Sequence, residues 1–375
     1  MRRLVALDLP AGQRFVDELR RAWDHGDAVL PVDQRLDYVA KRALVESMRV
    51  GVWVTTEGSN SLSDDPTMNE GDALVMATSG TTGKAKGVVL THDALEASAD
   101  SSNRALGTTA DDHWLACLPL AHIGGLSVVI RALLSGSELT VHEGFDARAV
   151  ERSARDGCNF VSLVPTALQR IDSSLFRTVL LGGSRPPTSR PPNVIATYGL
   201  TETGSGVVYD GRPLPGVEIK CSDAGEVLVR GRMLMRCYRD GSTSIDSDGW
   251  LHTGDSGTFT DGILNITGRL DDLIKSGGEK VWPDQVERAI QVLIGDHQYC
   301  VVGVDDPEWG QKVVLVTTNS EITLDRVRST VKESLPAFFA PKDLVVLDAL
   351  PATALGKIRR AECASLAARV LSSRS

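Results

Sequence analysis

The chain has 375 residues, of which 42% are hydrophobic, enough to fill the cores of two or three globular domains. It carries 40 Lys and Arg against 49 Asp and Glu, which gives a formal net charge of −9. This acidic balance argues against a nucleic-acid-binding surface, so no nucleic-acid partner is expected. The six cysteines form no CxxC pair and no cluster with histidine, which argues against a zinc site and a disulfide framework.

The N-terminal region is expected to be scaffold. Arg2 and Arg3 are not followed by the apolar segment of a signal peptide. No stretch of the chain approaches the roughly 18 uninterrupted apolar residues of a membrane span, so we expect a cytoplasmic protein without membrane insertion. Apolar residues at helical spacing predict helices over 12–24 and 36–48, with a strand over 28–32 between them.

A glycine-rich loop, TSGTTGKAKG at 78–87, follows a short apolar strand at 74–76. Its glycines at positions 80, 83 and 87 permit positive φ and close backbone approach, so that successive N–H groups can point at one anion. Four hydroxyls and two lysines add hydrogen-bond donors and positive charge. The loop therefore predicts a polyphosphate site, with a flexible Gly/Ser/Thr hairpin as the alternative.

The next segment predicts a helix from residue 92, and then a strand, a turn, an apolar helix and a second strand over 113–145. His122 lies at the turn, where a packed core histidine is the more common alternative to a functional one. Arg131 lies within the apolar helix. A surface arginine that extends its charge to solvent is slightly favoured there over one that receives a substrate carboxylate.

Helices and strands alternate from 148 to 184, which predicts a parallel, doubly wound α/β sheet with ligands at the C-terminal ends of its strands. One strand ends in Gly182, Gly183 and Ser184, where an aromatic base could lie against bare backbone. A plain tight turn is the alternative.

The segment VIATYGLTETGSG at 194–206 predicts a strand that stops at Tyr198 and Gly199. Magnesium prefers oxygen ligands from one or two carboxylates together with phosphate, so Glu202 is the predicted metal ligand. Thr201 is assigned to a phosphate oxygen and Tyr198 to stacking on adenine. The alternative is a surface turn.

The C-terminal part of the chain has a different sequence pattern from the part before it. Short alternating runs predict a small β-subdomain over 211–267. A helix over 283–293 with Pro near its start, further strands and a second helix near 323–335 then predict a compact α+β unit.

Five segments, in chain order, resemble motifs of the adenylate-forming superfamily of acyl-CoA synthetases, carrier-protein adenylation domains and luciferases. They are TSGTTGKAKG (78–87, with Ala85 where the family has proline), YGLTE (198–202), GWLHTGD (249–255), GRLDDLIKSGG (268–278) and PATALGKIRR (351–360). The resemblance implies a large N-terminal domain over 1–270 that is hinged to a small mobile C-terminal domain over 271–375. The phosphate loop lies nearer the N-terminus than in large members, so the N-terminal domain is expected to be shortened.

The resemblance also implies roles for individual residues. Asp255 would chelate the ribose hydroxyls, and Lys357 would be the adenylating lysine. Asp271 would be the hinge, and Gly277 and Gly278 would belong to a loop that enters the site only in the thioester-forming pose. ATP or AMP contacts are expected at Thr78, Ser79, Gly80, Thr81, Thr82, Gly83, Lys86, Gly182, Gly183, Ser184, Tyr198, Gly199, Asp255 and Arg269.

The segment PLAHIGGLSVVIRALLSG at 119–136 is particularly similar to the o-succinylbenzoate–CoA ligases of menaquinone biosynthesis. In the family, the position of His122 forms the wall of the acyl pocket, and we assign His122, Arg131 and Thr203 to the acid. The implied reaction joins an acid to CoA and converts ATP into AMP and pyrophosphate, with Mg²⁺ as cofactor. The alternatives are another aryl or short-chain acyl-CoA synthetase, an adenylation enzyme that loads a carrier protein, and a non-catalytic nucleotide-binding paralogue. Oligomeric state is left open, with a homodimer as one option.

Overall fold

The computed structural model describes residues 2–62, 68–79, 85–184, 186–187, 189–295, 297–352 and 358–374. The chain divides into two compact units. The first unit comprises Met1–Lys220, Leu228–Thr253 and Phe259–Leu264, and the second comprises Cys221–Val227, Gly254–Thr258 and Asn265–Ser375. No described helix is long and apolar enough to cross a bilayer.

The helices begin and end close to the predicted positions. In the first of them, the residues that recur at helical spacing, Phe15, Val16, Leu19 and Ala22, are buried, which is why this amphipathic stretch folds as a helix against the sheet. The helices are α1 (Gln13–Asp24), α2 (Tyr38–Ser47), α3 (His92–Leu106), α4 (Ile123–Ser135), α5 (Ala147–Arg155), α6 (Pro165–Leu168), α7 (Pro283–Ile294), α8 (Leu324–Ser334) and α9 (Arg360–Ser372).

The strands alternate with these helices along much of the chain. In order they are β1 (Leu4–Leu7), β2 (Ala28–Pro31), β3 (Val52–Val54), β4 (Ser59–Ser61), β5 (Asp72–Ser79), β6 (Ala85–Thr91), β7 (His113–Ala116), β8 (Glu138–Val141), β9 (Phe160–Leu163), β10 (Thr178–Leu181), β11 (Val194–Leu200), β12 (Ser205–Tyr209), β13 (Arg212–Pro213), β14 (Glu218–Cys221), β15 (Glu226–Arg230), β16 (Cys237–Tyr238), β17 (Leu251–Thr260), β18 (Ile263–Arg269), β19 (Ile274–Ser276), β20 (Glu279–Val281), β21 (Tyr299–Asp306), β22 (Gly310–Thr317) and β23 (Asp343–Val346).

Two large sheets form the first unit. One has the strand order β16-β6-β5-β2-β1-β3-β4, and the other has the order β13-β12-β11-β10-β9-β7-β8. Both are parallel at the centre, as β1 with β2 and β9 with β10 show, and antiparallel towards an edge, where β5 pairs with β6 and β11 with β12. The predicted α/β class is therefore confirmed. The sheets are mixed rather than wholly parallel, because hairpins add antiparallel strands at their edges.

The predicted β-subdomain contributes to three sheets. Strands β14, β15, β17 and β18 form a four-stranded sheet in the order β14-β15-β17-β18. In contrast, β13 pairs with β12 and β16 pairs with β6, so these two short strands extend the large sheets. This arrangement brings the region around Tyr238 to the edge of the first sheet.

The second unit contains a five-stranded sheet in which β20, β19, β22 and β21 follow one another and β23 pairs with β22. Alternate residues of β21 face opposite sides of this sheet. Val301 packs with Val286 and Val327 of helices α7 and α8. Val302 packs instead with Cys363 of α9. Helices thus cover both faces of the sheet, which explains why β21 is apolar along most of its length.

Candidate active site

The described ends of the predicted phosphate loop form a β-hairpin. β5 and β6 pair as far as Thr78 with Lys86 and Ser79 with Ala85. The Thr78 hydroxyl also donates to the backbone oxygen of Lys86 over 3.2 Å. The two strands therefore extend further into the loop than predicted, because backbone pairing continues through its polar residues. Of Ser79 only the backbone is described, and four predicted nucleotide residues lie outside the described part of the chain: Gly80, Thr81, Thr82 and Gly83.

Gly87 lies within β6 and does not have the positive φ that glycine permits. A Cβ at this position would come within 2.7 Å of Met48 Sδ, 2.8 Å of Val75 Cγ1 and 2.9 Å of Arg239 Cβ. Contacts this short cannot be accommodated without movement of the neighbours. Glycine at position 87 therefore allows the hairpin to pack closely against these side chains.

The predicted magnesium residue lies in a tight turn after β11. This strand continues to Leu200, beyond the predicted end at Tyr198 and Gly199, and leads directly into a 3₁₀ helix, Thr201–Thr203. Thr203 is fully buried, and its hydroxyl donates to the backbone oxygen of Ser205 over 2.7 Å. Thr203 thus shapes the turn, and its contact with the acid stays a prediction. Thr201 and Glu202 are half-buried on the same turn.

Tyr238 connects this turn to the phosphate hairpin. Because β16 pairs with β6, Tyr238 lies opposite Val88. Tyr238 Oη donates to Glu202 Oε1 over 3.0 Å. The ammonium of Lys86 lies 4.9 Å from the centroid of the Tyr238 ring. Residues from two motifs that are far apart in the chain therefore meet at one tyrosine that the sequence analysis did not single out.

The donor set at this point fits a magnesium ion that is bound together with ATP. Magnesium in nucleotide enzymes takes one or two carboxylate oxygens and completes its octahedron with phosphate oxygens and water. Glu202 supplies a carboxylate whose orientation is held by Tyr238, and the Lys86 ammonium nearby suits phosphate oxygens. The predicted assignment of Glu202 to magnesium is compatible with this geometry.

The predicted adenine-side residues come together at the ends of two neighbouring parallel strands. Leu181, the last residue of β10, pairs with Ala196 of β11. The Thr197 hydroxyl donates to the Leu181 backbone oxygen over 3.1 Å, and a Cβ on Gly182 would come within 2.7 Å of that hydroxyl oxygen. This juxtaposition follows from the parallel pairing of the strands. It gathers five residues whose nucleotide contacts stay predictions: Gly182, Gly183, Ser184, Tyr198 and Gly199.

Arg131 is buried within α4, with 3% of its surface exposed. The only hydrogen bond from its guanidinium to a described residue is donated by Nη2 to Ser205 Oγ over 3.0 Å, while Nε and Nη1 are buried without a partner in the described chain. The guanidinium carbon also lies 5.7 Å from the centroid of the Trp114 ring. The favoured interpretation of Arg131 as a surface arginine is therefore wrong. Buried and incompletely paired donors of this kind suit an anionic ligand.

His122 precedes α4 as its N-cap residue and lies against the loop that follows β2. Arg35 Nη2 lies 2.9 Å from His122 Nε2, and an oxygen of Asp33 lies 3.5 Å from the same nitrogen. Burial lowers the pKa of His122, and Arg35 adds to this while Asp33 opposes it. His122 is therefore neutral at pH 7, with Nε2 accepting the hydrogen bond from Arg35. Sequence reasoning treated this loop as scaffold and missed both partners, since only the charges of Asp33 and Arg35 after a predicted strand marked it.

In the second unit, the predicted ribose ligand and the predicted nucleotide arginine are partners. Asp255 is 5% exposed, and Arg269 Nη1 donates to Asp255 Oδ1 over 3.0 Å. A Cβ on Gly254, whose φ is +68°, would come within 2.9 Å of Arg269 Nη2. The two motifs meet because β17 and β18 are adjacent strands. Their contacts with the nucleotide stay predictions.

The predicted hinge and the predicted CoA-side loop lie close together in sequence. Asp271 is exposed in a short 3₁₀ helix, Leu270–Asp272. Gly277 and Gly278 connect β19 to β20 with φ values of 60° and 83°, which defines a two-residue hairpin turn that glycine favours. The ring of Trp309 packs directly on Gly277, since a Cβ there would come within 2.8 Å of it. Hinge motion and CoA binding at these residues stay predictions.

Arg360 is a further residue that the sequence analysis did not single out. It lies among three carboxylates, with Nε 3.3 Å from Asp272 Oδ2, Nη2 3.3 Å from Asp284 Oδ1 and Nη1 donating to Glu287 Oε1. Burial alone would lower the pKa of Arg360, but these carboxylates outweigh burial and raise it. Lys357, the predicted adenylating lysine, is close in sequence but lies outside the described residues.

Comparison with known protein families identifies the class of the chain. The model of the AMP-binding enzyme family matches residues 17–239, and the model of the AMP-binding enzyme C-terminal domain matches residues 285–357. The chain belongs to the AMP-binding enzymes, which confirms the adenylate-forming superfamily that its motifs resemble.

Individual relatives show which members of the family this chain is similar to. The chain is 35% identical over 321 residues to a probable 2-succinylbenzoate–CoA ligase of Mycobacterium tuberculosis, a match that covers 77% of this chain and 83% of the relative. It is 33% identical over 337 residues to the 2-succinylbenzoate–CoA ligase of Enterococcus faecalis, covering 79% and 70%. These matches confirm the predicted enzyme class, an AMP-forming acid–CoA ligase.

Solved structures agree with this classification. The o-succinylbenzoate–CoA synthetase of Bacillus subtilis, in complex with the acyl-adenylate intermediate OSB-AMP, is 27% identical with a TM-score of 0.83, covering 96% of this chain and 88% of that one. The same enzyme in complex with ATP and a magnesium ion also gives 27% identity and a TM-score of 0.83, covering 97% and 90%.

Proposed function

We propose that this chain converts 2-succinylbenzoate, ATP and CoA into 2-succinylbenzoyl-CoA, AMP and pyrophosphate through an acyl-adenylate, a reaction of menaquinone biosynthesis. The relatives from Mycobacterium tuberculosis and Enterococcus faecalis are named for this acid, and the Bacillus subtilis enzyme binds its acyl-adenylate. Another aryl or short-chain acid, or a carrier protein in place of CoA, remains the competing reaction.

The observation that supports a dicarboxylic substrate is the burial of Arg131. The reaction converts one carboxylate of 2-succinylbenzoate into the acyl-adenylate and then into the thioester, whereas the other carboxylate keeps its negative charge throughout. Arg131 has two buried nitrogens, Nε and Nη1, without partners in the described chain, so its guanidinium still has N–H groups that a carboxylate can accept from. A monocarboxylic acid would leave this buried charge uncompensated, so Arg131 would select for the second carboxylate.

The first half-reaction forms a bond between a carboxylate oxygen and the α-phosphorus of ATP, and the bond to pyrophosphate breaks. Its barrier is largely electrostatic, because both reactants are anionic. Thr78, Lys86 and Thr201 would hold phosphate oxygens, Glu202 would hold magnesium, and Lys357 would bridge the attacking carboxylate and the α-phosphate. Magnesium, when bound, would neutralise charge on the leaving pyrophosphate. In-line positioning is worth roughly 7–11 kcal/mol in well-oriented cases.

The second half-reaction needs the CoA thiol to attack the acyl carbon, after which AMP leaves. We assign the change between the two half-reactions to rotation at Asp271, which would withdraw Lys357 and bring the Gly277–Gly278 turn towards the site. Asp271 is exposed in the short 3₁₀ helix between β18 and β19, a position that suits a hinge.

A pyrophosphate-release assay tests the proposal. The purified chain with ATP and Mg²⁺ should release pyrophosphate only when 2-succinylbenzoate is present, and CoA should be consumed in step. The matched control is 4-oxo-4-phenylbutanoate, which lacks only the ring carboxylate. Loss of one hydrogen-bonded charge pair should lower its kcat/KM by about 10- to 100-fold.

Two outcomes contradict the proposal in different ways. Equal kcat/KM for 2-succinylbenzoate and its monocarboxylic analogue would remove the second carboxylate from recognition. Pyrophosphate release without any consumption of CoA would favour an enzyme that loads a carrier protein.

A further inference from the structure

The ring of Tyr238 separates two opposite charges. Lys86 lies 4.9 Å from the ring centroid, and Glu202 accepts the hydrogen bond of the phenol over 3.0 Å. The face of an aromatic ring attracts a cation, and its hydroxyl donates to a carboxylate, so one side chain satisfies both groups. Neither contact follows from a motif, because Tyr238 belongs to none of the segments that resemble the family.

The position of the ring is fixed by backbone pairing on both sides of it. The N–H of Arg236 donates to the backbone oxygen of Val89 over 2.9 Å, and the N–H of Arg239 donates to that of Gly87 over 2.7 Å. The Arg236 guanidinium also makes two hydrogen bonds of 2.8 Å to the buried carboxylate of Asp72. The segment that carries Tyr238 is thereby held on the phosphate hairpin, which places the tyrosine side chain within reach of both charged groups.

Direct pairing of Lys86 with Glu202 would make both charged groups poorer ligands. Without the tyrosine side chain, the Lys86 ammonium and the Glu202 carboxylate would attract each other with neither of their present contacts to oppose an ion pair. A carboxylate paired with an ammonium is a poorer metal ligand, and an ammonium paired with a carboxylate is a poorer partner for phosphate. Keeping these charges apart before ATP binds is a form of preorganisation.

We propose that Tyr238 is a positioning residue that separates Lys86 from Glu202 and orients the Glu202 carboxylate for the metal complex of ATP. This inference rests on the proposed function, since it takes Glu202 as the metal ligand and Lys86 as a phosphate ligand. Tyr238 itself takes no part in the chemistry. Its contribution is to the geometry that the metal–nucleotide complex meets.

Binding of Mn²⁺ in the presence of α,β-methylene-ATP, followed by electron paramagnetic resonance without any acid or CoA, tests the proposal. Tyr238→Phe keeps the spacer and loses only the hydrogen bond, and we expect Mn²⁺ affinity to fall about tenfold. Tyr238→Leu removes the spacer as well and should weaken binding further. The matched control is Tyr209→Phe, which loses a hydroxyl bonded to Ser102 over 2.7 Å in the interior and should leave Mn²⁺ affinity unchanged.

A double variant separates positioning from general structural damage. If Lys86 captures Glu202 when the spacer is lost, Tyr238→Leu should weaken Mn²⁺ binding less in a Lys86→Met background than in the wild type. Wild-type affinity in Tyr238→Phe, or an equal effect of Tyr238→Leu in the two backgrounds, would overturn the inference.

The outcomes also distinguish this inference from the proposed function. If Glu202→Gln leaves Mn²⁺ affinity unchanged, the metal assignment fails and the inference fails with it. If the wild type binds Mn²⁺ with the nucleotide but does not activate 2-succinylbenzoate, the proposed substrate fails while the Tyr238 variants still test the inference.

Discussion

Arg131 in the first unit is buried and Arg360 in the second unit is half-buried, and the two arginines have opposite surroundings. Arg360 in the second unit lies among the carboxylates of Asp272, Asp284 and Glu287. Arg131 in the first unit has one hydroxyl and the Trp114 ring, and two of its nitrogens lack partners in the described chain. Removing a charge that the fold compensates leaves its partners unpaired and destabilises the fold, whereas a buried charge that the fold leaves uncompensated costs stability and is available to a ligand.

This difference supports Arg131, rather than Arg360, as the arginine that binds the substrate in the proposed reaction. Both residues lie in helices, and local sequence does not distinguish them. Partners from distant parts of the chain do distinguish them. Among the described residues, Arg360 has carboxylates from two other elements, whereas the guanidinium of Arg131 has the Ser205 hydroxyl as its only hydrogen-bond partner and the Trp114 ring beside it. The comparison therefore predicts opposite responses when each arginine is replaced by methionine, which has a similar length and no charge.

The largest expected effect is on stability in the second unit. Arg360→Met leaves three half-buried carboxylates without their cation and should lower the free energy of unfolding by about 2–3 kcal/mol. Urea denaturation measures this. Arg359→Met is the matched control, because Arg359 is exposed and its ion pair within the described chain is with the equally exposed Glu362, and it should change stability by less than about 1 kcal/mol. Equal stabilities of the two variants would show that the carboxylates around Arg360 do not need it.

The next effect is on substrate affinity in the first unit. Arg131→Met should raise the KM for 2-succinylbenzoate by about 10- to 100-fold while the KM for ATP stays the same, because only the acid loses a charged partner. The free energy of unfolding should stay the same or rise, since an uncompensated buried charge is removed. Steady-state kinetics with each substrate varied in turn, together with urea denaturation, check both parts. Unchanged acid kinetics with a large loss of stability would reverse the comparison.

The smallest expected effect is on the pH dependence of stability. It concerns His122, a side chain of the first unit that can lose its positive charge. Burial lowers its pKa, so the folded chain binds a proton less readily than the unfolded chain, whose histidine titrates near pH 6.5. The stability that neutral His122 contributes is therefore fully present above about pH 6.5 and is lost as the pH falls through the folded pKa.

Urea denaturation at pH 7.5 and 5.5 measures this dependence, with His122→Gln as the comparison variant. The wild type should lose more stability between the two pH values than the variant. The carboxyl of Asp33 does not contribute in this window: burial opposes ionisation, but hydrogen bonds from Arg35 outweigh it and hold the Asp33 pKa below its usual range. Identical pH dependence in both proteins would show that His122 is not titrating in the folded chain.

The elements of the fold were largely readable from the sequence. Apolar spacing predicted α1 and α2, and the alternation of helices and strands predicted the α/β class, because these patterns depend on residues a few positions apart. Strand ends were less predictable. β5 and β11 continue into polar residues, since pairing with β6 and β12 satisfies the backbone there whatever the side chains are.

The candidate site was predicted in part. The motifs named Glu202, Asp255 and Arg269, and the structure shows that Asp255 and Arg269 are partners. Tyr238 and Arg35 went unpredicted, because each acts by touching a residue that is distant in the chain. Their own sequence neighbourhoods carry no signal that marks these contacts.

The sequence by itself determined the family, the order of the motifs and the kinds of chemical group available to ATP and an acid, since these are properties of short segments. Only the tertiary structure decided which charges are compensated. In that structure, Arg131 is buried beside a hydroxyl, Arg360 lies among carboxylates, and Tyr238 contacts both Lys86 and Glu202. The physical reason is that the energy of a charge depends on its burial and on every group within a few ångströms, and those groups come from all parts of the chain.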